Sequence, residues 1–348
     1  MSSISGVAKP ATAPAGDGLA ADPIRLQGIA GRWLMFGDYG PKAQRHMATV
    51  WACVFACALA DALWLPNSKL SFAASNWTGL LQGLVCCALA AAFIATASWR
   101  LRNDASRAAI VIGKTLVVAE LLWRAALPIG ALLTAGVTLS YLITSADLPL
   151  RDDFLASVDR ALGFDWPGFL SATNSSPLVA ASLTFVYQTT GPVVVLVILW
   201  QALHRRGERL AEFIAVLALS TVMLCVVMPL LPAAGAFAFY RPAPEQFGNY
   251  AAFGQMWSFA HTFEMLRSGA LAVIDLSALQ GIVSFPSFHT MLGVMAIYGA
   301  RDSRWLFIPA LLLDGAMFVS TLTVGGHHLA DVLAGAALTL AAIVIVRR

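Results

Sequence analysis

Eight stretches of this chain are long and apolar enough, or nearly so, to cross the hydrocarbon of a bilayer. That repetition limits the fold more than any other feature. They fall at 47–65, 77–98, 124–145, 177–203, 210–231, 288–300, 305–325 and 328–346. About 20 apolar residues in a helix span a core of roughly 30 Å, and a helix satisfies its backbone polar groups internally where no water is present. The run at 288–300 is short, and the Ser284-Phe285-Pro286-Ser287 element before it is expected to extend the same helix. The segment 105–123, with Arg107, Lys114 and Glu120 and then Arg124, has two readings: an interfacial amphipathic helix, or the first half of one long tilted span. The sequence predicts an all-α polytopic integral membrane protein with about eight transmembrane helices.

Composition agrees. Of 348 residues 59% are hydrophobic and 12% charged, against about 25% charged in soluble domains. A net charge of +3, without a basic stripe carrying interleaved aromatics, excludes a nucleic-acid partner. The cysteines Cys53, Cys57, Cys86, Cys87 and Cys225 all lie in apolar spans and read as small packing residues. Residues 1–30 are rich in Ala, Gly, Pro and Ser without a signal-peptide run. Residues 1–45 therefore read as a disordered cytoplasmic tail, and residues 46–145 as N-terminal transmembrane helices, the first an uncleaved signal anchor.

The basic residues assign the orientation. Arg100, Arg102 and Arg107 share one short loop, Arg205, Arg206 and Arg209 a second, Arg301 and Arg304 a third, and Arg347 and Arg348 close the sequence. With eight spans these clusters and both termini fall on one side, expected to be cytoplasmic. The intervening loops fall on the other. Two of those, 147–172 and 251–280, mix aromatic and charged residues as interfacial helices do. His261 and Glu264, at i, i+3 in the second, read as a solvated face. Asp61 and Asp314 lie inside spans, where a carboxylate is either functional or bonded to a neighbouring helix. Tyr187 reads as an interhelical hydrogen-bonder.

Two outward-facing stretches gather the chemistry: Ser284-Phe285-Pro286-Ser287-Phe288-His289 and Gly326-His327-His328-Leu329-Ala330-Asp331. His327 and Asp331 are i, i+4 and share a helical face. A carboxylate there holds one imidazole tautomer and leaves the other nitrogen free to attack. Ser284, Ser287 and the helix start at Phe288 suit an anionic oxygen. His289 is then placed to protonate a leaving oxygen. His328, i+3 from Asp331, competes with His327 for the nucleophile's role and otherwise reads as a polar, substrate-facing neighbour.

Ser284–His289 resembles the Ser-x-x-Ser-x-His element of the type 2 phosphatidic acid phosphatase superfamily, and residues 325–335 resemble its His-x-x-x-Asp-Val-x-x-Gly element. The resemblance covers roughly residues 150–346. Asp159-Arg160-Ala161-Leu162-Gly163 and Leu231-Pro232-Ala233-Ala234-Gly235 are similar to segments of its inositolphosphotransferase-like branch. The resemblance makes residues 146–348 a catalytic helical bundle, with His327 the phosphohistidine, His289 the acid and Asp331 the supporting carboxylate. Ser284, Ser287, Arg241 and His328 become substrate-binding candidates, and neither metal nor cofactor is implied. Two cations of the phosphatase branch are missing: Ser320 stands seven before His327, and Ala234 seven before Arg241. The same simplification occurs in branches similar to inositol-phosphorylceramide and sphingomyelin synthases. The resemblance thus implies a lipid phosphotransferase acting on phospholipid, sphingolipid or isoprenoid phosphate. It is expected in a bacterial-type inner membrane with a periplasmic active site. A lipid-phosphate phosphatase and an inactive membrane scaffold are the alternatives.

Overall fold

The computed structural model describes residues 39–251 and 257–348; the expected tail 1–30, Phe253 and Met256 lie outside them. In chain order the helices are α1 (Pro41–Trp64), α2 (Ala74–Leu101), α3 (Arg107–Ser145), α4 (Asp152–Ala161), α5 (Trp166–Asn174) and α6 (Pro177–Leu203). There follow α7 (Gly207–Val227), α8 (Ala236–Tyr240), α9 (Gly248–Ala251), α10 (Ser258–Ser268), α11 (Phe288–Ala300), α12 (Arg304–Thr323) and α13 (Leu329–Arg347). Among the described residues, seven of these are long and apolar enough to span a membrane, and α11 is a shorter apolar eighth. The chain is an all-α polytopic membrane protein.

Helix α7 is the axis. Every residue from Leu210 to Ala218 is buried, which follows from a sequence apolar on all faces. Met47 and Val50 of α1, Leu121 and Leu132 of α3, Met295 of α11 and Ile343 of α13 close around it in one core. The N-terminal helices are therefore built into the same bundle as the motif-bearing ones. Helix α2 stands at the periphery, where Trp77, Leu81, Leu84, Leu89 and Phe93 are each more than half exposed, a surface suited to lipid.

Of the two readings of 105–123, the long helix is correct. The 39 residues of α3 run about 58 Å at 1.5 Å per residue, starting from the Ser106 hydroxyl, which accepts from Ala109 N–H at 3.1 Å. Arg124 is carried inward because Glu120, one turn before it, pairs with it, while Arg107 and Lys114 stay exposed. The expected extension of α11 does not occur. Pro286 supplies no N–H, and Ser287 is an extended N-cap (ψ 112°) whose hydroxyl accepts from Thr290 N–H at 3.4 Å. The serine motif is thus an irregular lead-in to the helix. Likewise α13 begins at Leu329, so His328 is its cap and lies outside the spanning segment.

The bundle has two distinct ends. At one, Arg206 and Arg209 meet Asp302, Arg209 and Arg301 meet Glu212, and Arg45 donates to the Arg348 main-chain oxygen at 3.0 Å. The basic clusters of α1, the α6–α7 and α11–α12 turns and the end of α13 therefore converge. At the other end sit α4, α5, α8 and α10 and the starts of α11 and α13. There a parallel pair, β1 (Ser71–Phe72) with β2 (Val273–Ile274), is tied to α2 by Asn76, which donates to Ile274 O at 2.7 Å and accepts from Leu276 N–H at 2.9 Å. His261 and Glu264 are exposed on α10. Asp314 is fully buried, and neither of its carboxylate oxygens finds a hydrogen-bond partner among the described residues.

Candidate active site

Asp331 joins the two motifs. Its Oδ2 accepts from Ser284 Oγ at 3.2 Å and from His328 N–H at 3.0 Å, and lies 3.2 Å from His327 Nδ1. Its main-chain carbonyl accepts from Ser287 N–H at 3.0 Å. An ionised carboxylate only accepts, so Nδ1 is the protonated nitrogen of His327 and Nε2 keeps its lone pair. Asp331, Ser287 and His328 are wholly buried, with Ser284 and His327 nearly so. Charge-assisted bonds in such surroundings are about twice as strong as neutral ones.

Glycines let the motifs approach. A Cβ on Gly335 would lie 2.5 Å from Ser287 O, so only glycine lets α13 pass this close to the serine motif. Gly326 has φ +64°, and a Cβ there would sit 2.8 Å from Phe237 Cβ. A Cβ on Gly325 would meet His327 Cδ2 at 2.8 Å and Tyr187 Cε2 at 3.1 Å. The Tyr187 ring in turn stacks on His289, centroids 4.3 Å apart, with its hydroxyl 3.1 Å from His289 Nδ1. The rings of His327, Tyr187 and His289 thus crowd one spot, the interhelical role foreseen for Tyr187 being a bond to this histidine.

His328 is placed differently from the substrate-facing neighbour expected of it. It is fully buried, with Nδ1 3.1 Å from Asp159 Oδ2 and Nε2 3.5 Å from Asp152 Oδ1. Burial opposes its charge, yet the ion pair with Asp152, the hydrogen bond to Asp159 and the field of Asp331 outweigh it, raising its pKa from 6.5 to about 9. Both carboxylates are anchored as well. Asp159 accepts from Leu329 N–H at 3.1 Å and Ala330 N–H at 2.9 Å, sealing the start of α13. Asp152 accepts from Ala234 N–H at 3.0 Å and Gly235 N–H at 2.9 Å. This carboxylate–imidazolium–carboxylate sandwich locks α4, the 231–235 turn and α13 together directly behind His327. Sequence spacing did not single out Asp152 or the role of Asp159, because their partners lie far along the chain.

Two tryptophans complete the frame. Trp166 Nε1 donates to Leu322 O at 2.8 Å and Trp257 Nε1 to Thr323 O at 3.1 Å, capping the last turn of α12 just before the Gly-Gly-His turn. Trp166 stacks on Tyr240 and Trp257 on Phe237. Arg241 and Arg267 stand apart from this frame. Arg241 is exposed in a hollow of about 560 Å³ shared with Asp152 and Asp153. Arg267 is paired with Asp147 at 2.7 Å and donates to Leu148 O at 2.9 Å, but shares a small cavity with Ser284. Ser320, where the motif arginine would stand, is fully buried and donates to Met317 O of its own helix at 2.9 Å. Among the described residues, no cluster of three or more His, Cys, Asp or Glu side chains is arranged to hold a metal ion.

A family model described as the PAP2 superfamily matches residues 153–345, a span that begins in α4 and takes in both motifs and Asp159. The comparison with curated proteins and that with solved structures returned no match.

Proposed function

Because the chain belongs to the PAP2 superfamily, whose model covers more than half of it, we propose that it moves a phospho-headgroup from a membrane lipid to an alcohol or second lipid through a phosphohistidine. Membership carries phosphoester chemistry of the phosphatase or phosphotransferase type. The transfer, the lipid substrates and the residue roles belong to the proposal. The observation that supports it best is the single Asp331 carboxylate bonded to His327, Ser284 and the His328 amide, with Ser287 on its carbonyl.

In this reading the His327 Nε2 lone pair attacks phosphorus while Nδ1–H stays on Asp331, which stabilises the imidazolium character that develops. The phosphorus–oxygen bond to the leaving alcohol breaks. With the anionic phosphoester beside it His289 takes up a proton, gives its Nε2 proton to that oxygen and keeps its Nδ1–H on Tyr187 Oη. In the second half the acceptor hydroxyl loses its proton to His289 Nε2 as its oxygen displaces His327 from phosphorus. Ser287 and the first N–H groups of α11 hold the phosphoryl oxygens, where a helix start favours negative charge, while Ser284 keeps its hydroxyl proton on Asp331. His328 brings no net positive charge, since two carboxylates claim it. Charge stabilisation at phosphorus therefore rests on α11, with Arg267 the nearest guanidinium by cavity.

The absence of cations at Ser320 and Ala234 favours transfer over hydrolysis, as in the synthase-like branch that the sequence resembles. The lipid reading rests on a site at one end of a membrane bundle, and the distribution of basic loops supports a periplasmic position for that end with cytoplasmic termini. The test is the fate of phosphate from a labelled phospholipid in proteoliposomes, with and without an alcohol acceptor. Label entering the acceptor and ceasing in His327→Ala supports transfer. Free phosphate dominating in the presence of acceptor makes the chain a phosphatase, and His327→Ala with undiminished turnover removes the proposal.

A further inference from the structure

The bundle end opposite the histidine motifs holds a second cavity, of about 610 Å³, between the start of α1, the α6–α7 turn and the end of α13. Its cationic lining is Lys42, Arg45, Arg205, Arg206, Arg209 and Arg347, six positive side chains against the carboxylates of Glu208 and Glu212. Those carboxylates leave most of the charge unanswered. Glu212 is taken up by Arg209, Arg301 and the Tyr298 hydroxyl. Arg206 and Arg209 share Asp302 from the α11–α12 turn. Among the described residues, Lys42, Arg205 and Arg347 form no ion pair, and Arg45 reaches only the Arg348 main-chain oxygen. Cations gathered this closely repel one another at a cost that a bound anion would relieve.

A separate observation points to a ligand. His46, one helical turn below Lys42, lines the same cavity, is only 6% exposed, and its Nδ1 is buried without a hydrogen-bond partner. A buried ring nitrogen normally finds a partner, and an unsatisfied one in a native cavity calls for an explanation. With cations on three converging elements above an imidazole whose Nδ1 becomes a donor once an anion holds the ring protonated, the cavity is shaped for a multiply charged oxyanion. Basic pockets between spanning helices at a membrane face take phosphate headgroups.

We propose that this cavity binds a phosphate group, carried by an anionic phospholipid of the adjoining leaflet or by a soluble polyphosphate. Occupied, it would pin α1 to the α6–α7 turn and to the end of α13, stabilising the bundle far from the reacting histidines. This site is independent of the reaction proposed above, because none of its residues touches the motif end.

The test uses the full chain in a neutral detergent, with thermal unfolding and native mass spectrometry as readouts. Probes are phosphatidylglycerol, cardiolipin, phosphatidylcholine and inorganic pyrophosphate. The exposed triple variant Lys42→Gln/Arg205→Gln/Arg347→Gln is compared with Arg100→Gln/Arg102→Gln/Arg107→Gln, which removes the same charge at the α2–α3 turn. An anionic lipid or pyrophosphate should raise the unfolding temperature and be retained at one copy per chain, weaken with salt, and lose at least tenfold in affinity only in the first variant. A response to lipid alone assigns the headgroup as the source, and a response to pyrophosphate alone assigns the soluble anion; each supports the proposal. No response to any anionic probe, an equal response to phosphatidylcholine, or an equal loss in both variants overturns it.

Discussion

His328 offers a perturbation whose size follows from the structure. A pKa raised from 6.5 to about 9 is worth about 3 kcal/mol at 1.36 kcal/mol per unit. Because the folded value lies above the unfolded one, this stabilisation is complete below about pH 6.5. It falls away as pH rises toward 9, where the folded imidazolium gives up its proton. His328→Gln removes the charge and leaves Asp152 and Asp159 buried against a neutral side chain. Near pH 6 the variant should lose about 3 kcal/mol, at the low end of the roughly 3–5 kcal/mol typical of breaking a buried ion pair. Equilibrium unfolding in mixed micelles, followed by tryptophan fluorescence at several pH values from 6 to 10, reads the difference directly. Trp166 and Trp257, which cap α12 beside this sandwich, report on the affected region. The gap between wild type and variant should shrink from about 3 kcal/mol at pH 6 to almost nothing at pH 10. A gap that stays constant across that range would refute the assignment of His328 as a charged lock.

Three further outcomes follow from the same geometry. His327→Ala should lower turnover of a lipid phosphoester by at least about 10³-fold while leaving the unfolding temperature within a few degrees, since the ring's loss removes a reacting group; initial rates and a thermal melt measure both. Tyr187→Phe deletes the hydroxyl on His289 Nδ1 and should cost about tenfold in kcat, one hydrogen bond to a charged group, with a displaced pH–rate profile and little change in KM. Gly335→Ala drives a methyl toward Ser287 O and should destabilise by about 1–3 kcal/mol. Gly315→Ala, where a Cβ meets nothing within 4 Å, should unfold like the native chain.

Much of this fold was legible because membrane helices declare themselves by length and hydropathy. All eight predicted runs correspond to helices, and basic residues of the α6–α7 turn, the α11–α12 turn and the end of α13 meet at one end of the bundle. The i, i+4 spacing of His327 and Asp331 is a local relation, so sequence alone carried it into the bonded pair. What failed to show were relations without a period. The Asp152–His328–Asp159 sandwich joins residues about 170 positions apart, and nothing in a linear pattern marks two carboxylates as partners of one imidazole. The capping role of Ser287 was hidden because the apolar run after it invited a longer helix, although Pro286 argued against one. Arg241 looked close to the site by loop, yet its left-handed backbone, φ 48°, leaves it in the outer hollow with Asp152 and Asp153.

The central claim is that His327 takes up the phosphoryl group while Asp331 holds its other nitrogen. A rapid quench at alkaline pH during turnover of a labelled lipid phosphoester, followed by peptide mass spectrometry, tests this most directly. Phosphate on His327, acid-labile and absent from Asp331→Ala, is the predicted result. Turnover at full rate with no label on His327, or with the label on His289 or His328, would contradict it.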